Sequence, residues 1–277
     1  MDKMAKLSIG FTHNGHLLKE LPLAETGAEA EKIYSEKPKQ TALYDWFARI
    51  VAVSIESIGG EAIAAEFIKT KEVPEVVYKI PFLDLGGLII QIQRECWEET
   101  ITKQRFKCTN CGTTLETDVE LKKIGIPEKD GEIDEFRVRL PQTITIDTEG
   151  TKSESLLEFN GKQFNQLVFR VATLKDAVKH QGVIKDEVMF WQNVAFDTLK
   201  NLELVEDDKV TDEVGSKYVT LRAKALFSRD LSAKSLRAVR KGLQTELPTA
   251  KYYYEDTCYN CGELTPFFAS VNSFFTV

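Results

Sequence analysis

A Cys-x-x-Cys-Gly pattern occurs twice in this chain of 277 residues, as CTNCG at 108–112 and as CYNCG at 258–262. The two copies share the spacing, the asparagine before the second cysteine and the glycine after it. A glycine there permits positive φ, which a tight metal-binding turn uses to direct amide N–H groups at the sulfurs. Two such turns supply four thiolates, so the pattern predicts one tetrahedral Zn²⁺ site. The predicted ligands are Cys108, Cys111, Cys258 and Cys261.

Two other interpretations of these cysteines stay open. Iron also accepts four thiolates, and the two pairs could be unrelated reduced thiols. A redox Cys-x-x-Cys normally occurs once, at a helix start after a strand, whereas both pairs here precede polar, extended-looking sequence. The fifth cysteine, Cys96, lies at helical spacing from apolar neighbours in QIQRECWEET. We expect Cys96 to be a small buried hydrophobe outside the metal shell.

A closed shell of four cysteines gives the predicted metal a structural role, because no coordination position is left for water or substrate. The entropy of closing a loop grows slowly with loop length, so such a site can hold the middle of the chain to its C-terminal part. The metal is therefore expected to hold the chain together rather than to activate water.

No sequence pattern indicates catalysis. The chain contains no GxGxxG, P-loop, GxSxG or HExxH motif. The three histidines, His13, His16 and His180, share no motif, and the first two flank a turn-like Asn-Gly where surface positions are expected. We predict a protein that is not an enzyme and that has no catalytic residue.

Composition and charge fit a soluble globular protein. The chain is 43% hydrophobic and 29% charged, as in ordinary soluble domains. Its net charge of -7 argues against a chain built as a whole to bind phosphates, although a local basic patch is compatible with it. The N-terminal stretch lacks a secretory-signal pattern, and charges interrupt the longest apolar runs. In a reducing cytoplasm, Cys-x-x-Cys pairs indicate metal binding rather than disulfides.

The predicted fold class is α+β. Residues 1–105 are predicted to be mainly helical, and residues 131–244 to form an inserted region of β-hairpins and helices. Residues 106–130 and 245–277 are predicted to form a zinc-ribbon-like module, in which the Cys₄ pair joins the middle of the chain to the C-terminus.

Several local signals predict element boundaries. Gly59-Gly60 should end the helix that contains ALYDWFARIVAVS, and Asp84 should cap the helix that follows it. Asn160-Gly161 should form the type I′ turn of a hairpin within LLEFNGKQFNQLVFRV. The stretch from Thr173 to about 204 is predicted to be mostly helical.

A short basic helix is predicted in DLSAKSLRAVRKGL, with Ser232 as its N-cap and Gly242 at its end. Arg237, Arg240 and Lys241 give it several basic residues on one side. Such a stripe could touch nucleic acid, but exposure to solvent or contact with an acidic partner protein is the favoured interpretation.

The order of several sequence blocks resembles a known family. The blocks are LDLGGLIIQIQRECWEET, a Cys pair followed by TDVEL, then FRVRLP, LVFRVATLKDA, a second Cys pair and NSFF. This layout resembles the T4-type phage baseplate hub subunit family and related tail assembly proteins of contractile-tailed phages. In that family a terminal Cys-x-x-Cys followed by Phe-Phe recurs, and the matching residues are Cys258, Cys261, Phe274 and Phe275. The stretch from about 185 to 245 has no matching block.

The resemblance implies a structural component of a contractile phage tail baseplate, in the hub or its connection to the wedges. It implies binding to other baseplate or tail proteins in a multi-subunit assembly, without membrane or nucleic acid. The location would be the virion, and the host cytoplasm during assembly. The alternatives are a zinc-ribbon nucleic-acid-binding factor, an iron-containing electron carrier and a tail assembly chaperone. Acidic residues are mixed with the basic ones around both Cys pairs, which argues against the first of these.

The C-terminal segment ELTPFFASVNSFFTV is apolar enough to need burial. Its rings are expected either to pack on the protein's own core or to contact a neighbouring subunit, where aromatic side chains are favoured anchors.

Overall fold

The structure is a computed structural model that describes residues 3–36, 38–97, 100–125, 133–148, 154–226, 231–245 and 253–268. Phe274 and Phe275, which carry part of the family resemblance and were expected to pack on the core or on a partner, lie outside the described residues. The described chain is a mixed α+β protein of helices and small antiparallel sheets, which confirms the predicted fold class at that level.

The elements are numbered in chain order. The strands are β1 Met4–His13, β2 His16–Pro22, β3 Ser57–Ile58, β4 Glu61–Ala62, β5 Thr100–Lys107, β6 Thr114–Glu120, β7 Glu135–Thr145, β8 Gln163–Arg170, β9 Leu199–Glu206, β10 Lys209–Glu213, β11 Tyr253–Thr257 and β12 Leu264–Phe268. The helices are α1 Ala28–Tyr34, α2 Leu43–Ser54, α3 Ala64–Thr70, α4 Leu85–Cys96, α5 Glu154–Leu157, α6 Leu174–His180, α7 Glu187–Thr198, α8 Ser216–Ala225 and α9 Ala233–Thr245.

The chain forms two compact units. Unit 1 comprises Met1–Glu132, Thr173–Lys175 and Ala250–Val277. Unit 2 comprises Ile133–Ala172 and Asp176–Thr249. Both Cys pairs belong to unit 1.

The first part of unit 1 begins with a β-hairpin, so the prediction of a mainly helical region was wrong there. β1 pairs antiparallel with β2 through a turn at Asn14-Gly15, where both residues have positive φ. The buried residues of β1 include every second position, as the period of two requires, and also Ser8 and Gly10 between them. The alternating set is Ala5, Leu7, Ile9, Phe11 and His13.

His13 belongs to this buried face, which corrects its predicted surface position. Its side chain is 5% exposed, and its Nε2 lies 2.9 Å from Glu61 Oε1. His16, the partner of His13 across the turn, is exposed as expected.

Helix α2 ends earlier than predicted. It stops at Ser54, and Ile55 is already extended. Gly59 and Gly60, which were expected to end the helix, instead form the β3–β4 turn with positive φ. A Cβ atom on Gly59 would lie 2.6 Å from His13 Cδ2, so this turn needs glycine for space as well as for conformation.

Helix α4 supports the irregular part of β1. The β1–β2 register shifts between Lys6 and Phe11, and Gly10 adopts a φ of +73° there. The Asp84 carboxylate, 1% exposed, accepts hydrogen bonds from the backbone N–H groups of Ile9 at 2.9 Å and Gly10 at 2.8 Å.

Asp84 stands at the N-cap position of α4 as predicted, but its side chain makes no capping hydrogen bond, so the predicted capping role was wrong. Two turns further along α4, the Gln91 amide both accepts from Lys6 N at 2.8 Å and donates to Lys6 O at 2.7 Å. Side chains at the start and on one face of α4 thus form hydrogen bonds with backbone groups of β1 that a neighbouring strand would otherwise bond.

Unit 2 is built on a four-stranded antiparallel sheet in the order β10-β9-β8-β7. Phe164, Leu167 and Phe169 of β8 are fully buried in its core. Glu203, only 3% exposed, accepts from Gln166 Nε2 at 2.6 Å and pairs with Arg137, which compensates the cost of burying its charge.

Several local predictions in unit 2 were wrong. LLEF does not form a hairpin arm, since Glu154–Leu157 is the short helix α5. The predicted type I′ turn at Asn160-Gly161 is not formed either, because Gly161 has positive φ but Asn160 does not. The helix predicted to reach about residue 204 ends at Thr198, because the next residues form β9 between β8 and β10.

Ser232 caps α9 as predicted, accepting from Ser235 N at 3.2 Å, but Gly242 does not end this helix. A Cβ atom on Gly242 would lie 2.4 Å from Val138 Cγ2, so this glycine allows α9 to approach β7 closely.

Candidate metal centre

Each Cys pair forms the turn of a β-hairpin. β5 and β6 are joined by the first Cys turn, residues 108–112, and β11 and β12 by the second Cys turn, residues 258–262. The predicted hairpin through the first pair is therefore confirmed.

The two Cys turns have the same backbone geometry. In the first turn, Cys108 N donates to Thr113 O at 2.8 Å and Gly112 N donates to Cys108 O at 3.0 Å. In the second turn, Cys258 N donates to Glu263 O at 2.9 Å and Gly262 N donates to Cys258 O at 2.8 Å.

Both glycines of the turns have positive φ, +71° at Gly112 and +73° at Gly262, as the sequence predicted. No atom lies within 4 Å of the position that a Cβ would take at either glycine. Conformation rather than space therefore requires glycine at these two positions.

The four sulfurs converge at one point. All four Sγ atoms lie within 4.8 Å of one another, although 147 residues separate Cys111 from Cys258. The first cysteine of each turn is buried and the second is exposed. Each buried sulfur lies next to the exposed sulfur of the other turn, at 3.7 Å for Cys108 and Cys261 and at 3.6 Å for Cys258 and Cys111.

This spacing fits a tetrahedral metal shell. Four sulfurs held about 2.3 Å from one ion stand about 3.8 Å apart along the edges of the tetrahedron. The observed separations of 3.6 and 3.7 Å match that edge length. The four cysteines are therefore close enough together to hold one metal ion.

Backbone amides support the sulfurs. The N–H groups of Cys111 and Asn110 donate to Cys108, and the N–H group of Glu263 donates to Cys261. Donors aimed at a sulfur favour its thiolate form, which is the form that binds metal.

A second group of donors comes from polar side chains around the shell. Thr265, fully buried, donates its hydroxyl to Cys108 Sγ at 3.3 Å. The Asn260 amide donates to Thr113 Oγ1 at 3.2 Å and lies 3.6 Å from Cys111 Sγ. Thr113 Oγ1 and Cys111 Sγ are 3.1 Å apart, and the Thr113 hydroxyl donates to this sulfur when Cys111 is a thiolate, which has no hydrogen of its own.

The pKa values of the thiols indicate which sulfurs ionise readily in the absence of a cation. Hydrogen bonds from Thr113 and then Asn260 lower the pKa of Cys111 to about 5. The Glu263 amide acts to lower the pKa of Cys261, but local desolvation within the cluster and the three neighbouring cysteines together raise it to about 11. Four negative charges this close repel one another, so complete ionisation of the cluster needs a bound cation.

Apolar residues close the inner side of the cluster. Cys108, Cys258 and Leu115 are buried together, and Phe106 packs against them. An apolar shell of this kind limits the access of water to the buried sulfurs.

Cys96 is a free thiol outside the four-cysteine cluster. It is half-buried rather than fully buried as predicted, and burial raises the pKa of its thiol. Among the described residues, no other group of histidine, cysteine and acidic side chains has the proximity that metal binding needs.

One feature of the site could have been anticipated and one could not. The repeated asparagine before each second cysteine was visible in the sequence, and Asn260 supports the sulfurs through its side chain. No local pattern marks Thr265 as a donor to Cys108, since 157 residues separate the two.

Comparison of the chain with protein-family models, with curated proteins and with solved structures gives no match. Among the described residues, no helix combines the length and the apolar character that crossing a membrane requires.

Proposed function

We propose that this protein is a non-enzymatic structural subunit in which a Cys₄ zinc site joins two distant hairpins. The observation that carries the proposal is the convergence of four sulfurs from two Cys turns of the same geometry. With all four positions of a tetrahedral shell taken by thiolates, the ion has no position for substrate and acts as a cross-link. The zinc-ribbon-like module of β5, β6, β11 and β12 would then depend on the ion for its stability.

Zinc is preferred to iron on chemical grounds. A tetrathiolate shell suits both ions, but Zn²⁺ binds nitrogen and sulfur ligands more tightly than Fe²⁺ does. Cys111 and Cys261 are exposed to solvent, where oxidants can reach the site. Zinc suits such a site because it does not change its oxidation state. An iron centre would instead be an electron carrier, and its oxidised form would be red.

Charge pairing around the first hairpin disfavours the nucleic-acid alternative. Arg105 pairs with Glu116 across β5 and β6 at 2.6 Å, and Lys122 and Lys123 both pair with Glu120. Basic residues committed to carboxylates present little net positive charge to phosphates.

Protein purified without chelator is expected to contain one zinc and no iron per chain, measured by elemental analysis, and to be colourless.

Zinc affinity should rise with pH, because thiols with a raised pKa, such as Cys261, must lose their protons to bind. Each proton released contributes about tenfold in affinity per pH unit. Competition with a chelator at about pH 6 and about pH 8 measures this slope. A red protein with stoichiometric iron would contradict the zinc assignment, and an affinity that does not change with pH would contradict binding through the four thiols.

A finer proposal concerns the assembly. The sequence blocks that resemble the T4-type baseplate hub family support a role as a contractile-tail subunit that binds other baseplate or tail proteins. Tagged protein expressed in cells that are producing tails is expected to copurify with tail particles at a fixed ratio. Tails that assemble fully and contain none of this protein would contradict the proposal, and presence only on assembly intermediates would favour the chaperone alternative.

A further inference from the structure

A groove lies between α7 and α9 of unit 2, outside the metal centre. It encloses about 330 Å³, and its lining includes Val188, Trp191 and Ala195 of α7 and Leu236, Arg237 and Arg240 of α9. Val188 is 47% exposed at its edge. The groove thus combines an apolar floor with two guanidinium groups.

Both helices line the groove with the spacing of a helical contact face. On α7 the lining positions are 188, 191, 192 and 195, and on α9 they include 233, 236, 237 and 240. Each set follows the i, i+3, i+4, i+7 pattern by which one helix packs against another. The lined stretch of α7 covers about two turns, or roughly 11 Å.

The α9 side of the groove is positively charged. The described residues of α9 include Lys234, Arg237, Arg240 and Lys241 and no acidic residue. Within the described part of the chain, neither Arg237 nor Arg240 forms a salt bridge. This contrasts with the chain's net charge of -7 and with Arg137 and Arg170, which are both paired with carboxylates.

We propose that this groove is a docking site for an acidic amphipathic helix of a partner protein. The apolar face of that helix would cover Val188, Trp191 and Leu236 in the helix-in-groove mode. Carboxylates along one edge of the helix would pair with Arg237 and Arg240, whose planar guanidinium groups bind carboxylates in a bidentate manner. The proposal does not depend on the identity of the metal or on the phage-tail proposal.

The groove is less suited to nucleic acid. Binding to phosphates relies on open basic surface, whereas the floor here is made of aliphatic side chains such as Val188, Ala195 and Leu236. Apolar contact area beside arginine is instead typical of the centre of protein interfaces.

A displayed library of amphipathic helical peptides tests the proposal. Leucines are fixed at i, i+3, i+4 and i+7, the flanking positions are randomised, and the whole chain with its metal is the target. We expect selection to enrich Asp and Glu on one flank. The double variant Arg237→Glu/Arg240→Glu should weaken the selected peptides by more than about tenfold, as expected when charged interface pairs become repulsive.

A matched control reverses two exposed lysines of unit 2 that do not line the groove. Lys185→Glu/Lys209→Glu makes the same change in net charge and should alter affinity less than about twofold. Val188→Asp, on the exposed edge of the apolar floor, should weaken binding as the arginine variant does. Circular dichroism and thermal midpoints establish that each variant is folded.

Several results would overturn the proposal. They are the absence of any enriched peptide, enrichment without acidic residues, and peptide affinity that the arginine reversal leaves unchanged. A single-stranded oligonucleotide that displaces the peptides and itself requires Arg237 and Arg240 would assign the groove to nucleic acid. Dodecanoate that binds more tightly than any peptide would assign it to a small amphiphile.

Discussion

Cys258→Ser is expected to abolish stoichiometric metal binding and to unfold the two hairpins, β5–β6 and β11–β12, that carry the Cys turns. Cys258 is 1% exposed and packs with Cys108 and Leu115 beneath the cluster. Structural zinc sites contribute about 10–16 kcal/mol of apparent binding free energy at neutral pH, as much as the whole stability of many domains. Elemental analysis should show metal falling from one ion per chain to nearly none, and the thermal midpoint should fall by on the order of 10 °C or more.

Cys96→Ser is the matched control for this variant, because Cys96 lies outside the cluster. It should keep its full metal content and lose at most about 1 kcal/mol of unfolding free energy. Limited proteolysis should cleave the Cys258→Ser protein near the second Cys turn while leaving the Cys96→Ser protein intact there. Equal metal content in the two variants would show that Cys258 is not a ligand.

Asp84→Ala is expected to give the largest loss of stability away from the metal. The variant leaves the N–H groups of Ile9 and Gly10 buried without their acceptor, and each unsatisfied group costs about 1–3 kcal/mol. The unfolding free energy, measured by denaturant titration, should fall by about 2–5 kcal/mol. Asp84→Asn should cost less, because its amide oxygen can still accept.

The pH dependence separates Asp84 from an ordinary surface acid. Burial raises the pKa of Asp84, although the backbone N–H groups that it binds act to lower it. Its contribution to stability is therefore fully present below its unfolded pKa and decreases as pH rises through the folded value. Asp84→Asn removes this dependence. Glu66→Ala, at an exposed position of α3, is the control and should change the unfolding free energy by less than about 0.5 kcal/mol. A loss for Asp84→Ala no larger than that would contradict the supporting role of the carboxylate.

Features that depend on a few adjacent residues could be predicted from the sequence. The Cys turns are local, because Cys-x-x-Cys-Gly fixes both the ligand spacing and the positive φ at Gly112 and Gly262. We predicted that the two turns converge because a tetrahedral metal site needs four ligands and each turn supplies two. No folding signal in the sequence indicated this convergence. The Ser232 cap was predictable for the same local reason.

Features that depend on contacts between residues far apart in the sequence could not be predicted from local patterns. Asp84 was placed correctly at the start of α4, but its carboxylate binds a strand 75 residues away instead of its own helix. Gly242 resembled a helix terminator, while its actual constraint is the close approach of Val138. The alternation in β1 was the missed signal, because a short apolar run is compatible with both helix and strand until its partner strand is known.

The groove between α7 and α9 also could not be predicted from the sequence, because it depends on a contact between two helices. The basic stripe was visible in the sequence, but the apolar floor beside it requires two helices to meet. Neither helix shows by itself that Arg237 and Arg240 border an apolar surface.

The most direct test of the central proposal is X-ray absorption spectroscopy at the zinc edge on protein purified without chelator. We expect four sulfur ligands at about 2.3 Å and no oxygen or nitrogen in the first coordination shell. Fewer than four sulfurs, a first shell of oxygen or nitrogen ligands, or metal-free protein with a Cys108–Cys111 disulfide would contradict the single Cys₄ site.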